Sequence, residues 1–259
     1  SWELDGPILL DLLEKQNIPI WSHKRKDNDP IVFGGGPVLT ANPEPLAPFL
    51  DVVLLGDGEE LLINFINQIK EIRHNSRSTQ LIEITQIPGA YVPSLYSPQY
   101  SADGSLIAIK PIENNIPPII TKQTWISNKL SHSSVITPEA AWPNIHMVEV
   151  VRSCPELCRF CLASYLNLPF RSNSLEEGLI PAVEKGLKIT KRIGLLGASV
   201  SQHPEFNELM KWLSKDCFED LHLSLSSVRA STVTLEMTRL LSSRGSKSLT
   251  IAIESGSQR

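Results

Sequence analysis

Apolar residues in the last third of the chain fall into two alternating patterns. Short, nearly unbroken runs at Met147 to Val151, Ile193 to Leu196, Leu221 to Leu225 and Leu249 to Ile253 have the length and character of buried strands. Between them, Leu175, Leu179, Val183 and Leu187 recur every four residues, followed by Phe206, Leu209, Met210 and Leu213, and then by Val233, Met237, Leu240 and Leu241. Each set occupies one face of a helix, and strands alternating with helices predict a parallel sheet with right-handed crossovers. Ser174 and Glu177 form a capping box at the first of these helices, and Pro204 suits the first turn of the second. Pro181 lacks an N–H and crowds the preceding turn, which predicts a kink.

The first third has a looser version of the same rhythm. Leu9, Leu12 and Leu13 give a helical apolar face after Asp5 and Pro7, and Ile18-Pro19-Ile20 reads as a short extended piece. Ile31-Val32-Phe33 runs into Gly34-Gly35-Gly36-Pro37, and Val52-Val53-Leu54-Leu55 runs into Gly56-Asp57-Gly58. Glu59 and Glu60 then open a helix with Leu62, Phe65, Ile66 and Ile69 at i, i+3, i+4 and i+7, the acidic pair matching the positive end of the helix dipole. From Leu81 to Trp142 the pattern dissolves into proline-rich, tyrosine-bearing sequence. This predicts an α/β protein with a first domain over 1–75, an extended connector over 76–143 and a second domain over 144–259. Within the connector, Asp103-Gly104 ahead of Leu106-Ile107-Ala108-Ile109 predicts a hairpin turn.

Composition narrows the function classes. The 259 residues carry a net charge of −4 with both signs scattered and no long basic block, so DNA or RNA is not indicated as an electrostatic partner. No apolar run reaches about eighteen residues, and the N-terminus lacks a secretory pattern, so the expectation is a soluble, cytoplasmic protein. Four cysteines, three of them clustered, fit a reducing compartment better than a disulfide framework. A start at Ser1 and a stop at Arg259, directly after a strand-like run, predict a fragment of a longer protein whose sheet would keep an open edge and turn over poorly alone.

The clustered cysteines carry the chemistry. Cys154, Cys158 and Cys161 fall within eight residues, directly after the first strand of the βα series. Parallel βα folds place their sites at that end of the sheet. Three thiolates on one loop can hold three irons of a cubane and leave the fourth without a protein ligand. Two other readings compete. Structural zinc wants four closed ligands, and no nearby pair supplies a fourth; His146 precedes the strand and belongs at its other end. A Cys158 to Cys161 redox pair leaves Cys154 without a role. Cys217, alone after a helix, reads as a packing or surface residue.

The run Cys154-x-x-x-Cys158-x-Phe160-Cys161 resembles the radical S-adenosylmethionine (SAM) enzymes. The resemblance implies a partial parallel β/α barrel with a 4Fe-4S cluster on the three cysteines and SAM at the open iron. Reductive cleavage of SAM would give a 5′-deoxyadenosyl radical that takes hydrogen from a substrate, small or macromolecular, with electrons from a low-potential donor such as flavodoxin or ferredoxin. It places Phe160 against the adenine. Gly197-Ala198-Ser199 stands at the family's glycine-rich turn, although the usual Gly-Gly-Glu is absent, and Ser226, Ser227, Arg229 and Glu254 become candidates for the SAM carboxylate and ribose. Ser226 and Ser227 read equally as turn chemistry, Glu254 also as a solvated residue past a strand, and His203 and Arg171 as a cap and a surface charge. No residue is assigned to catalysis itself.

The order Phe33-Gly34-Gly35-Gly36, Asn42-Pro-Glu-Pro and Asp51 to Glu60 resembles the cobalamin-binding-type Rossmann domain fused to many such enzymes. If cobalamin binds, Gly34, Gly35, Gly36, Gly56 and Gly58 would let the backbone approach its tail. The Asp-x-His-x-x-Gly motif of base-off binding is missing, and His23 sits in a charged, exposed-looking segment. Methylthiotransferases share the cysteine spacing but carry three further cluster cysteines near the N-terminus, and none precedes Cys154 here. The reading is a radical SAM enzyme with cobalamin-assisted methyl transfer open. The alternatives are a cobalamin-independent radical oxidoreductase or rearrangement enzyme, and a non-enzymatic zinc module.

Overall fold

A computed structural model describes residues 4–226, 228–252 and 256. The chain divides into two compact units, Ser1–Trp125 and Ile126–Arg259.

In the first unit, α1 (Asp5–Lys15) precedes β1 (Phe33–Gly35), α2 (Pro37–Ala41), β2 (Val52–Leu54) and α3 (Gly58–Ile72). Strands β1 and β2 pair in parallel, Phe33 opposite Val52. The core stripe of α3 is Leu61, Phe65 and Ile72, with Ile66 and Ile69 at its border. Leu62, expected inward, is exposed, so the helix is rotated by about one residue from the predicted phase.

The segment expected to be an extended connector is largely built into this unit. Residues Arg77–Ile84 form α4, capped by the Ser76 hydroxyl, which accepts from the Thr79 N–H at 3.4 Å. Then β3 (Ala90–Tyr91) pairs antiparallel with β2, and β4 (Tyr96–Tyr100) with β5 (Leu106–Pro111) makes a hairpin whose turn holds Gly104 at φ +84°. The helix escaped the sequence pattern because its buried face is Arg77, Gln80 and Ile84, so polar residues stand at core positions.

Arg25, Arg77 and Asp51 lock the unit together. Asp51 Oδ2 accepts from Arg25 Nη1 at 2.9 Å and from the Val32 N–H at 2.8 Å, and pairs with Arg77 Nη2 at 2.7 Å. The guanidiniums donate onward to the carbonyls of Pro19, Ile20, Phe49, Asp29 and Pro30. Irregular loops without ladders are thereby satisfied from inside.

The second unit contains β6 (His146–Glu149), β7 (Val151–Arg152), α5 (Leu162–Leu166), β8 (Arg171–Ser172), α6 (Ile180–Leu187), β9 (Arg192–Leu196), α7 (Phe206–Leu213), β10 (His222–Leu225), β11 (Val228–Arg229), α8 (Leu235–Ser243) and β12 (Ile251–Ala252). Its main sheet has the order β10-β9-β6, all parallel, so sequential strands are neighbours as the βα rhythm requires. Val148, Ile193, Leu195 and Leu223 face Leu179, Val183, Leu209 and Leu213, all nearly sealed from solvent. The fourth expected strand pairs with β11, just past β10. At Pro181 the helix does not simply bend: a π turn over Leu175–Leu179 leads into α6, a wider turn suited to a proline that cannot donate to the preceding turn.

His146 opens β6 at the end opposite the cysteines and is 1 % exposed. Its ring lies over Gly186 of α6, where a Cβ would fall 2.3 Å from His146 Cδ2. Burial, and after it the neighbouring His132, holds its pKa below the ordinary histidine value. Because the unfolded chain binds the proton more readily, stability is full above the unfolded pKa of about 6.5 and is lost as pH falls toward the lower folded value. Urea titrations should show unfolding free energy declining below that pH, and His146→Leu should flatten the decline.

Candidate functional site

The cysteine loop leaves the sheet at the C-terminal ends of β6 and β7, and its backbone is held rather than free. Ser153 and Leu157 adopt φ of 70° and 48°, a region costly for residues with a Cβ. The helix that follows clamps both. The Ser153 hydroxyl donates to the Ser164 carbonyl at 2.9 Å, and the Tyr165 hydroxyl donates to the Leu157 carbonyl at 2.7 Å. The Cys161 N–H closes a turn on the Cys158 carbonyl at 2.9 Å, and the Ser164 hydroxyl points at Cys161 Sγ from 3.9 Å. The sequence reading missed Ser164 and Tyr165; their only signal was two hydroxyls within one helical turn of the last cysteine.

Cys154, Cys158 and Cys161 carry partly exposed thiols that line one cavity of about 400 Å³. Phe160, Ala198, Ser199 and Arg229 line it too, as do Glu156, Ser164 and Gln202, which the sequence reading did not single out. Phe160 is 70 % exposed and offers a flat apolar face to this space. Gln202 Oε1 accepts from Cys154 Sγ at 3.7 Å, while its amide nitrogen donates to the Glu156 carboxylate. Glu156 in turn pairs with the Arg229 guanidinium, whose Nε donates to the Ser231 hydroxyl at 3.0 Å.

Among the described residues no three His, Cys, Asp or Glu side chains converge tightly enough to hold one metal ion. In a cubane each thiolate meets its own iron, so three partly exposed sulfurs spread along one clamped loop and facing one cavity are a fitting donor set.

Other sequence candidates separate. Gly197 is a glycine for packing: an added Cβ would sit 2.6 Å from Val151 Cγ2 and 2.9 Å from the Val151 carbonyl oxygen. Its N–H donates to Ser226 Oγ at 3.2 Å and its carbonyl accepts from the same hydroxyl at 3.0 Å, so Ser226 ties the turns after β9 and β10 together. Gly197 and Ala198 line a neighbouring cavity of about 370 Å³ with Met147, Glu149, Arg152 and Leu196. His203 is a buried cap: its Nδ1 accepts from the Glu205 N–H at 3.0 Å, leaving Nε2 to donate to the Asn173 carbonyl at 2.6 Å. Arg171, expected at the surface, is buried and donates to the carbonyls of Pro169 and Asn167. Ser227 and Glu254 lie outside the described residues.

In the first unit, most of the glycines already have their missing side-chain space filled by the chain. A Cβ on Gly34 would meet Leu39 at 2.7 Å, and on Gly35 the Leu54 carbonyl oxygen at 3.1 Å. Gly56, at φ +102°, lies under the backbone of Gln123, whose oxygen would be 2.1 Å from an added Cβ. That crossing is a parallel bridge, with the Asp57 N–H on the Gln123 carbonyl at 2.9 Å and the Gln123 N–H on the Leu55 carbonyl at 2.8 Å. Gly36, at φ +98°, caps α2, and a Cβ on Gly58 would enter open space. At Gly34, Gly35 and Gly56 the space a side chain would take is thus occupied by the chain itself. A separate cavity of about 300 Å³ beside Leu55 is lined by Asn42, Glu44, Tyr91 and Tyr96.

Comparison with known proteins agrees with the arrangement in the second unit and extends it to the first. Residues 1–93 match the family model described as radical SAM proteins, N-terminal. An uncharacterized protein of Methanocaldococcus jannaschii is 28 % identical over 247 residues, covering 93 % of this chain and 47 % of that protein. The chain therefore spans about half the length of this relative. Two structures of the radical SAM methyltransferase TsrM from Kitasatospora setae share the fold over 93 % of this chain and 42 % of theirs. One, with tryptophan substrate and a SAM analog bound, has a TM-score of 0.52 at 14 % identity; the other, with cobalamin and a [4Fe-4S] cluster, 0.51 at 12 %. The chain shares a mixed α/β fold with part of these structures. No helix among the described residues is long and apolar enough to cross a membrane.

Proposed function

We propose that the chain is the cluster-bearing part of a radical SAM enzyme, with Cys154, Cys158 and Cys161 as ligands of a 4Fe-4S cluster. The supporting observation is that all three thiols line one cavity at the C-terminal edge of a parallel sheet, together with Phe160, Ser199 and Arg229. A cluster held there would supply the single low-potential electron that cleaves SAM to a 5′-deoxyadenosyl radical.

The chain's own residues have separable tasks. Ser153, Ser164 and Tyr165 hold the loop in its left-handed turns, so ligand geometry is set before metal arrives. Phe160 gives an apolar face for a purine. Arg229 supplies the cation for a ligand carboxylate. The adjoining cavity at Met147, Glu149 and Arg152 shares Ala198 with the cluster cavity and is the place for a substrate within reach of the radical. A low-potential electron donor would serve as partner, in the cytoplasm.

Anaerobic reconstitution tests this. About four irons and four sulfides per chain, with the charge-transfer absorbance of a cubane, is the expected result. Stoichiometric zinc with no iron uptake would replace it with a structural metal module.

Cobalamin-assisted methyl transfer is the second reading, favoured by the fold shared with a cobalamin-bound methyltransferase. At Gly34, Gly35 and Gly56 the space beside the backbone is taken by the chain itself, so no step is routed through a corrinoid and a cobalamin-independent oxidation or rearrangement is the simpler reading. Equilibrium dialysis of the protein against hydroxocobalamin should retain none; stoichiometric retention would restore the methyltransferase reading.

A further inference from the structure

We propose that Glu156 is a displaceable stand-in for a ligand carboxylate, holding Arg229 until SAM takes its place. This rests on the radical SAM reading above.

Glu156 lies within the cysteine loop, two residues from Cys154 and two from Cys158, yet it is not tied to that loop alone. Its carboxylate accepts from the Gln202 amide, carried on the turn after β9, and pairs with the Arg229 guanidinium at the end of β11. One carboxylate therefore links three separate βα loops across the wall of a single cavity. The pair is not a sealed structural bridge like that of Asp51. The Arg229 side chain is 42 % exposed and that of Glu156 33 %, whereas Arg25 and Asp51 are 0 % and 2 %. A half-solvated pair carries little net stabilisation and opens readily.

The Arg229 guanidinium is already fixed on its Nε side by Ser231. Its Nη1 pairs with the Glu156 carboxylate, and both residues line the cavity. An amino-acid carboxylate entering that space would compete with Glu156 for the same donor. Once displaced, Glu156 keeps the Gln202 amide as partner. Glu156 is thus a positioning residue, and Arg229 the recognition residue.

The test measures affinity and iron content together, on anaerobically reconstituted protein, by equilibrium dialysis with SAM and with its decarboxylated form. Glu156→Gln removes the competing charge and should tighten SAM binding about threefold relative to the parent. The same change should leave the decarboxylated ligand's affinity unaltered or weaker, since that ligand has no carboxylate to gain. Arg229→Met should weaken SAM about tenfold or more and abolish the gain from Glu156→Gln in the double variant. If every variant holds about four irons and Glu156→Gln leaves SAM binding unchanged or weaker, the displacement is wrong while the cluster reading stands. If the parent protein takes up no iron, both fall.

Discussion

Alanine at Cys158 is expected to reduce iron uptake from about four atoms per chain to fewer than one, with loss of the cubane absorbance. The loop offers no substitute ligand in the right place. Glu156 is engaged with Arg229 and Gln202, and Cys217 is exposed elsewhere in the fold. Two thiolates would hold a cluster far less tightly than three. Cys154→Ala and Cys161→Ala should behave alike, and their urea transitions should remain near that of the parent because the three side chains are only partly buried. A lost cluster with a retained fold separates ligation from folding; an unchanged iron content in Cys158→Ala would remove this cysteine from the site.

The largest stability effect is expected at Asp51. Replacing it with alanine leaves Arg25 and Arg77 buried without their shared counter-charge, at a cost of about 3–5 kcal/mol. Single domains retain only about 5–15 kcal/mol in all, so the variant should lose a large part of the first unit's stability. Asp51→Asn keeps one acceptor for the Val32 N–H and should lose less. Urea unfolding followed by tryptophan fluorescence measures both, since Trp21 and Trp125 lie in this unit. Equal stabilities of parent and Asp51→Ala would show that the two guanidiniums are satisfied by backbone carbonyls alone.

The contrast between these two sites explains what could be read ahead of the structure. The candidate cysteines announce themselves because residue identity and short spacing are properties of a local stretch of chain. The helices α6, α7 and α8 were legible for the same reason, with Val183, Leu209, Met210, Leu213, Met237, Leu240 and Leu241 buried on the faces their period required. By contrast Arg25, Asp51 and Arg77 are spaced by 26 residues at each step, and nothing near any of them in sequence names its partners. Helix α4 and strand β3 were hidden within apparent connector sequence, the first by polar residues at core positions and the second by its two-residue length.

Within the cavity the division is similar. Phe160 and Arg229 were visible from their positions relative to the cysteines and the strands, while Glu156 and Gln202 became meaningful only when three loops met. Gly197 and Gly56 were noticed as glycines, but their reason lay in distant backbone: the Val151 carbonyl in one case and Gln123 in the other. The linear pattern by itself determined the α/β class, the order of the βα series and the position of the cysteine cluster, because periodic burial and residue spacing act over a few residues. Tertiary structure alone decided which carboxylate faces Arg229, which charges are sealed around Asp51 and which glycines are filled, because each depends on segments tens of residues apart being brought within bonding distance.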